Sequence, residues 1–162
     1  MSTVIMMCGV SGSGKTTYAK QKEKEGFIRL SIDEEMWNKY GQRGVDYPYS
    51  EYDELSEKVE LSLQNRLLEL ISKNKNIVLD FSFWNRDDRN FYKKIITESG
   101  AKVKLIYLKA NKDLLKKRLA KRNLNLNANS PFIISDKILN DYFDGFQEPI
   151  DEGETVIIQN EF

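Results

Sequence analysis

Residues 9–16 read Gly-Val-Ser-Gly-Ser-Gly-Lys-Thr, and this run constrains the fold more than any other part of the sequence. It matches the pattern G-x-x-x-x-G-K-[ST] at every fixed position, directly after an apolar run at 3–8 and directly before a helical pattern at 15–25. Glycines let such a loop fold with its backbone N–H groups pointing inward, where they and the positive end of the helix dipole bind phosphate oxygens. The sequence therefore predicts a phosphate-binding loop between a strand and a helix.

Each residue of this loop has a predicted chemical role. Lys15 supplies a positive charge to the β- and γ-phosphates of a nucleoside triphosphate, and the Thr16 hydroxyl supplies an oxygen ligand to Mg²⁺. The other predicted cofactor contacts come from the loop and the first helical turn: Gly9, Ser11, Gly12, Ser13, Gly14 and Thr17.

Apolar runs alternate with helical patterns along the rest of the chain. The predicted strands cover 3–8, 27–31, 77–80, 103–108 and 155–158. The predicted helices cover 15–25, 33–40, 51–72, 87–99, 111–122 and 135–146, with a loop at 41–50. This alternation indicates an α/β fold with one parallel sheet covered on both faces. We predict a single domain over 1–162 with a lid at 118–134, because the Asn-rich stretch 123–131 cannot pack a core.

Two absences narrow the chemistry. The 162 residues include no histidine and one cysteine, Cys8, which excludes Ser-His and Cys-His nucleophilic catalysis, His-ligated metals and an intrachain disulfide. Lys plus Arg and Asp plus Glu number 25 each, so the net charge is zero and a surface that coats nucleic acid is not expected. Any catalytic base is therefore predicted to be a carboxylate, and any metal a hard cation.

Two carboxylates follow predicted strands, at the edge of a parallel sheet where ligands bind. Asp80 ends the third strand and is predicted to hold the Mg²⁺ shell. Asp33 follows the second strand and is predicted to accept the proton of a substrate hydroxyl. Both residues have a plainer alternative, since Asp33 also fits as the cap of the next helix and Asp80 as the cap of a turn.

Arginines near the end of the predicted helix 111–122 form a second group. Arg118 and Arg122 are four residues apart and share one helical face. Arg122 is predicted to stabilise the charge of a transferring phosphoryl group and Arg118 to lie on a nucleobase, although both also fit a solvated basic face. Arg86 and Arg89 follow the third strand, and they either face the substrate or decorate the start of the next helix.

Aromatic residues flank the predicted acceptor side. Such rings suit a sugar, a base or a drug-like scaffold, although the packing of a lid on the core explains them equally well. They are Trp37, Tyr40, Tyr47, Tyr49 and Tyr52 before the long helix, and Phe81, Phe83 and Trp84 after the third strand.

The order of these motifs resembles that of the small P-loop kinases, a family that includes the kinase domain of polynucleotide 5′-hydroxyl kinase and the zeta-toxin-like kinases. The matching positions span nearly the whole chain: 9–17, 30–33, 78–80, Arg89, 115–123, 146–149 and Glu152. The resemblance implies a three-layer P-loop NTPase fold, nucleoside-kinase-like, with five parallel strands in the order 2-3-1-4-5. It also implies ATP and Mg²⁺ on Lys15 and Thr16, Asp33 as general base, Arg122 as the lid arginine, and Arg118 stacked on adenine.

The sequence and the resemblance together predict an ATP-dependent phosphotransferase that acts on a hydroxyl of a small molecule. Polynucleotide kinases carry an arginine three residues after the base, and Met36 stands at that position, which disfavours a nucleic-acid acceptor. A 5′-hydroxyl polynucleotide or nucleoside kinase, with the basic run 112–122 as its track, and a nucleotide-binding ATPase or switch without an acceptor are the alternatives. No signal peptide or membrane span is recognisable, so a cytoplasmic monomer or homodimer is expected.

Overall fold

Strands and helices alternate along residues 1–160, which are the residues that this computed structural model describes. The strands are β1 (Thr3–Cys8), β2 (Ile28–Leu30), β3 (Ile77–Leu79), β4 (Lys102–Lys109) and β5 (Thr155–Ile158). The helices are α1 (Lys15–Lys24), α2 (Ile32–Tyr40), α3 (Tyr52–Ser72), α4 (Arg86–Glu98), α5 (Lys112–Arg122) and α6 (Asp136–Gly145), with a 3-10 turn at Tyr49–Glu51. Within residues 1–160, no helix is both long enough and apolar enough to span a bilayer.

The five strands are parallel and lie side by side in the order β2-β3-β1-β4-β5. β1 lies at the centre, because Ile5 pairs with Val78 of β3 on one side and with Lys104 of β4 on the other. The predicted α/β fold and strand order are confirmed. The carboxyl ends of β1 and β3 are neighbours in this order, and they open toward the same edge of the sheet.

Both faces of β1 are buried, which is why its sequence is apolar throughout rather than alternating. Val4 and Met6 pack into the larger core, which includes residues of α3 and α4. Ile5 and Met7 point to the opposite face and pack against Ala19 of α1. The sheet is thus the middle layer of three.

Side chains that cap N-termini decide where four helices begin. Each accepts a hydrogen bond from the backbone N–H three residues later, which satisfies a donor that the helix leaves unpaired. The caps are Ser31 for α2, Asn85 for α4, Asn111 for α5 and Ser135 for α6. Because of Ser31 and Asn85, α2 and α4 each begin one residue before their predicted start.

Other boundaries also differ from the predicted ones. The predicted strand 27–31 is reduced to Ile28–Leu30, and the predicted loop 41–50 ends inside the 3-10 turn. The predicted lid 118–134 begins with helix, because α5 continues to Arg122. The segment that leaves the helix is 123–134, and it is called the lid below.

Candidate functional site

The loop between β1 and α1 has the geometry of an anion site. Gly14 is the N-cap of α1 at φ +98°, a conformation that side-chain-bearing residues rarely adopt. A Cβ at Gly14 would also lie 3.2 Å from the Gln159 side chain and 3.6 Å from Arg118. Among the described residues no side chain caps α1, so the backbone N–H groups of its first turn are available to a negatively charged ligand.

Lys15 folds back over this loop. Its Nζ donates to the carbonyl oxygens of Gly9 at 2.8 Å and of Val10 at 3.3 Å. Burial lowers the pKa of Lys15, while the nearby carboxylates Asp80 and Asp33 oppose that shift. An anion bound at the loop would therefore stabilise the charged form of Lys15 and offer its ammonium a stronger partner than two carbonyls.

A cavity of about 1010 Å³ opens in front of the loop, and most of the predicted site residues line it. They are Ser11, Gly12, Gly14, Lys15, Thr16, Thr17, Asp33, Asp80, Arg118 and Arg122. Gly9 lines an adjoining chamber instead. Ser13 is turned into the protein, 1% exposed, and within residues 1–160 its hydroxyl has no hydrogen-bond partner. Its backbone N–H is bonded to Val10, so the structure does not bring Ser13 to the cavity.

Asp80 and Thr16 lie together at the floor of the cavity. The Thr16 hydroxyl donates to Asp80 Oδ2 at 3.0 Å, which leaves its lone pairs for a cation. Within residues 1–160 the Asp80 carboxylate caps no turn, because it accepts from the side chains of Thr16 and Arg29 rather than from a backbone N–H. The described residues contain no group of three or more Asp, Glu, Cys or His side chains placed to hold a metal ion. One hydroxyl and one carboxylate fit Mg²⁺, which commonly takes its other ligands from phosphates and water.

Arg29 also contacts Asp80, and sequence reasoning missed it. Its Nη2 and Nε donate to Asp80 Oδ2 at 2.7 and 3.0 Å, and both side chains are 4% exposed. Nη1 reaches Glu34 at 2.5 Å, and Nη2 also reaches Asn129 of the lid at 2.7 Å. The available signal was a charge in the middle of β2, since an arginine between Ile28 and Leu30 requires a buried partner.

Asp33 lies in the first turn of α2 and lines both the large cavity and the adjoining chamber. Ser31 caps that helix, so the alternative of Asp33 as the cap is wrong. Burial and then the charge of Asp80 raise the pKa of Asp33, while the charges of Lys15 and Arg122 lower it. A carboxylate with a raised pKa is better able to accept a proton.

Arg118 and Arg122 both turn toward the cavity, so the solvated-face alternative is wrong for the pair. Arg122 Nε donates to Ser130 Oγ at 2.6 Å, and its Nη2 donates to the Asn129 carbonyl at 2.5 Å. Burial lowers the pKa of Arg122, and the charges of Asp33 and Asp80 oppose that shift. Arg118 Nη1 donates to the carbonyl of Gly12 at 3.1 Å, at the phosphate loop.

The adjoining chamber, of about 480 Å³, is lined by aromatic rings. These are Tyr52, Trp84, Phe132, Tyr142 and Phe146. Of the rings considered in the sequence, Phe81 and Phe83 are core residues that border only the large cavity, while Trp37, Tyr40, Tyr47 and Tyr49 line neither space. Burial and then Asp33 raise the pKa of Tyr52 to about 12, so its hydroxyl stays protonated.

Arg43 contacts two of the aromatic rings that line the chamber, Tyr52 and Phe132. Its guanidinium carbon lies 3.9 Å from the ring centre of Tyr52 and 5.1 Å from that of Phe132. This cation–π contact joins the lid to α3.

Arg89 and Arg86 line neither space. Arg89 is completely buried, and it forms an ion pair with Glu152 and donates to the Phe83 carbonyl at 2.7 Å. Arg86 is exposed at the start of α4. Neither residue faces the candidate site, which excludes the substrate-facing role considered for them.

Comparison with known proteins is consistent with this geometry. Residues 4–149 match the family model AAA_33, described as an AAA domain. No curated protein matches the sequence.

Three solved structures illustrate the fold that this chain shares with known proteins. A gluconokinase from Sinorhizobium meliloti 1021 has a TM-score of 0.64 and 16% identity, over 96% of this chain and 81% of that one. A chain of the Pnkp1/Rnl/Hen1 RNA repair complex has a TM-score of 0.73 and 18% identity, over 89% of this chain and 43% of that one. Chaetomium thermophilum Kti12, in complex with ADP-AlF3, has a TM-score of 0.61 and 11% identity, over 96% of this chain and 88% of that one.

Proposed function

Given that the chain belongs to the AAA_33 family of P-loop domains, we propose that it is an ATP- and Mg²⁺-dependent kinase that phosphorylates a hydroxyl of a small neutral molecule. One observation carries the proposal: Asp33 borders both the cavity in front of the phosphate loop and the aromatic chamber. A base at this junction can take the proton of an acceptor hydroxyl that lies in the chamber and faces a γ-phosphate in the cavity.

The charges around the junction suit phosphoryl transfer. Lys15 and Arg122 line the same cavity as Asp33, and the charge of each acts on the Asp33 carboxylate. In the proposed reaction Lys15 holds the β- and γ-phosphates, and Arg122 stabilises the charge that spreads over the transferred group. Asp33 receives the proton of the attacking hydroxyl.

Mg²⁺, when bound, would neutralise phosphate charge, and Thr16 and Asp80 are the residues that would hold it. The ADP-AlF3 complex of Kti12 supports a nucleotide in a fold of this kind. In this chain the phosphate loop, the uncapped start of α1 and Lys15 support the same assignment.

The chamber favours a small and neutral acceptor. Its volume of about 480 Å³ falls within the range of small-molecule pockets, and rings form its walls. Asp33 and Asp141 line it together with Arg122, so its carboxylates outnumber its cations and an anionic acceptor is disfavoured. Met36, which stands where polynucleotide kinases carry an arginine, is 3% exposed and packs in the core. These features support a small molecule over a polynucleotide end.

The test is ATP consumption with Mg²⁺ against a panel of sugars and polyols, ring-bearing alcohols and 5′-hydroxyl oligonucleotides. The wild type is compared with Asp33→Asn and with Asp87→Asn. Asp87 is a matched control, because it is also the second residue of a side-chain-capped helix but lies outside both spaces.

We expect acceptor-dependent ATP consumption in the wild type and in Asp87→Asn, and a loss of roughly 10²–10⁴-fold in Asp33→Asn. Equal rates in the two variants would overturn the role of Asp33. Consumption stimulated only by oligonucleotides would favour the polynucleotide kinase alternative, and consumption that no acceptor stimulates would favour an ATPase.

A further inference from the structure

The Arg29 guanidinium donates four hydrogen bonds to residues in three different parts of the molecule. Nε and Nη2 bind Asp80 at the end of β3, Nη1 binds Glu34 in the first turn of α2, and Nη2 also binds Asn129 in the lid. Asp80 is 51 residues away in sequence and Asn129 is 100 residues away. A single buried guanidinium thus connects the sheet, a helix and the lid.

Hydrogen bonds within the tip of the lid give it a defined local structure. Asn127 and Ser130 exchange two backbone hydrogen bonds of 3.0 Å, and the Asn127 side chain accepts from the N–H of Asn129 at 2.9 Å. Arg122 binds the Asn129 carbonyl and the Ser130 hydroxyl from α5. Residues 127–130 are therefore a small closed turn that two arginines attach to the body of the protein.

The two attachments differ in what else the arginine holds. Arg122 reaches the turn from α5, whereas Arg29 reaches it through the same Nη2 that binds Asp80, at 2.7 Å in both cases. Three donors, two from Arg29 and one from Thr16, converge on Oδ2 of Asp80 and fix the direction of its carboxylate. A movement of this carboxylate therefore moves the guanidinium that holds Asn129.

We propose that Arg29 is a positioning residue that ties the lid turn 127–130 to Asp80, so that the lid and the carboxylate facing the metal site are set together. The inference rests on the proposed function only for the identity of the cation. The connection between Asp80 and the lid is made by protein groups alone, so it can be tested in the nucleotide-free protein.

The first measurement is backbone hydrogen exchange of Asn129 and Ser130. Asp80→Asn weakens the charge-assisted contact that holds Arg29, without removing any lid residue. We expect exchange in the lid turn to accelerate by about fivefold to tenfold, with β1 unchanged. Asn129→Ala should accelerate it to a similar extent, whereas Asn125→Ala, at an exposed lid position, should not.

The second measurement is the Mg²⁺ dependence of ATP binding by calorimetry. Asn129→Ala removes the link but leaves Thr16, Asp80 and Arg29 in place. We expect this variant to need several-fold more Mg²⁺ for half-maximal enhancement of ATP binding, while Asn125→Ala matches the wild type. Arg29→Lys retains a charge near Asp80 but cannot hold both partners with one planar group, so it should behave as Asn129→Ala does.

Unchanged exchange of the lid turn in a folded Asp80→Asn protein would overturn the link. Asn129→Ala serves where Arg29 variants fail to fold, because only a lid side chain is shortened. These outcomes are independent of phosphate transfer: absence of any kinase activity would refute the proposed function and leave the exchange result standing, and the reverse also holds.

Discussion

Arg89 and Glu152 form a bidentate ion pair, with both N···O distances at 2.9 Å and neither side chain more than 3% exposed. The third donor of Arg89 binds the carbonyl of Phe83, a residue at φ +47°. A non-glycine residue persists in this left-handed conformation only where its surroundings impose it. The ion pair therefore holds the bend that leads from β3 to Trp84 at the wall of the chamber.

Glu152→Gln should destabilise the protein by about 3–5 kcal/mol at pH 7, because it leaves the buried Arg89 charge without its anion. The hydrogen bonds from Arg89 lower the pKa of Glu152 below the usual 4.5. A lowered pKa contributes stability above 4.5 that is lost as the pH falls through the folded-state pKa. The difference between the two proteins should thus shrink in denaturant titrations at progressively acidic pH.

Lys73→Met is the comparison for this experiment. It breaks the exposed pair of Lys73 and Glu69, and its unfolding midpoint should stay close to that of the wild type. A Glu152→Gln protein as stable as Lys73→Met at pH 7 would contradict a structural role for the buried pair.

Asp33→Asn should raise the thermal unfolding midpoint of the nucleotide-free protein while it lowers phosphate transfer. The pKa of Asp33 is raised in the folded state, first by burial and then by Asp80, so its ionised form costs stability at neutral pH. The folded state binds more protons than the unfolded state between the usual value of 3.8 and the raised one. The gain should therefore appear above that window and vanish below it, in thermal scans from pH 3 to pH 8.

Asp87→Asn should show no such gain at neutral pH. If Asp33→Asn lowers the midpoint, or raises it equally at all pH values, the carboxylate is not the strained group described here. A stability gain that accompanies a loss of function is typical of residues placed for chemistry.

Lys15→Met should weaken Mg-ATP binding by about 10- to 100-fold, as expected for the loss of a charged hydrogen bond of about 1.5–3 kcal/mol. Calorimetry measures this directly. Lys24→Met, at the exposed far end of α1, changes the same charge and should bind ATP as the wild type does. Equal affinities in the two variants would remove the phosphate-loop assignment.

Arg118 and Arg122 should separate binding from turnover. Arg122→Ala removes a charge that meets the transferring group, so kcat should fall on the order of 10³-fold with a small change in ATP affinity. Arg118→Ala should mainly weaken ATP binding, because that guanidinium lies at the phosphate loop. Steady-state kinetics and calorimetry on both variants measure the separate effects on kcat and on ATP affinity. A fall in thermal stability with neither quantity changed would show that both arginines have only a structural role.

Local chemistry explains what the sequence could predict. The strand–loop–helix order around residues 9–16, the apolar strands and the alternation with helices are each encoded within a few neighbouring residues, and these predictions of the fold are confirmed. The pairing of Arg29 with Asp80 joins residues 51 positions apart. The local sequence around either residue gives no indication of the other as its partner. Likewise, only the structure excludes Asp33 as the cap of α2, since the Ser31 side chain occupies that position.

Burial was the other quantity that the sequence left open. Arg89 and Arg86 are three residues apart at the start of one helix, yet one is completely buried and the other is exposed. The difference depends on Glu152, which arrives from the segment before β5. Ser13 shows the reverse case, because it belongs to the loop pattern but turns into the protein.

The ion pair of Arg89 with Glu152 also sets a time order during synthesis. The two residues are 63 positions apart, and ribosomes add about 5–20 residues per second, so Arg89 waits roughly 3–13 s for its partner. During that interval the phosphate loop, β1 and Asp33 have all emerged, but the bend at Phe83 lacks its support. The acceptor chamber is therefore completed late in synthesis, because its walls include Tyr142 and Phe146 as well as the bend that Glu152 supports.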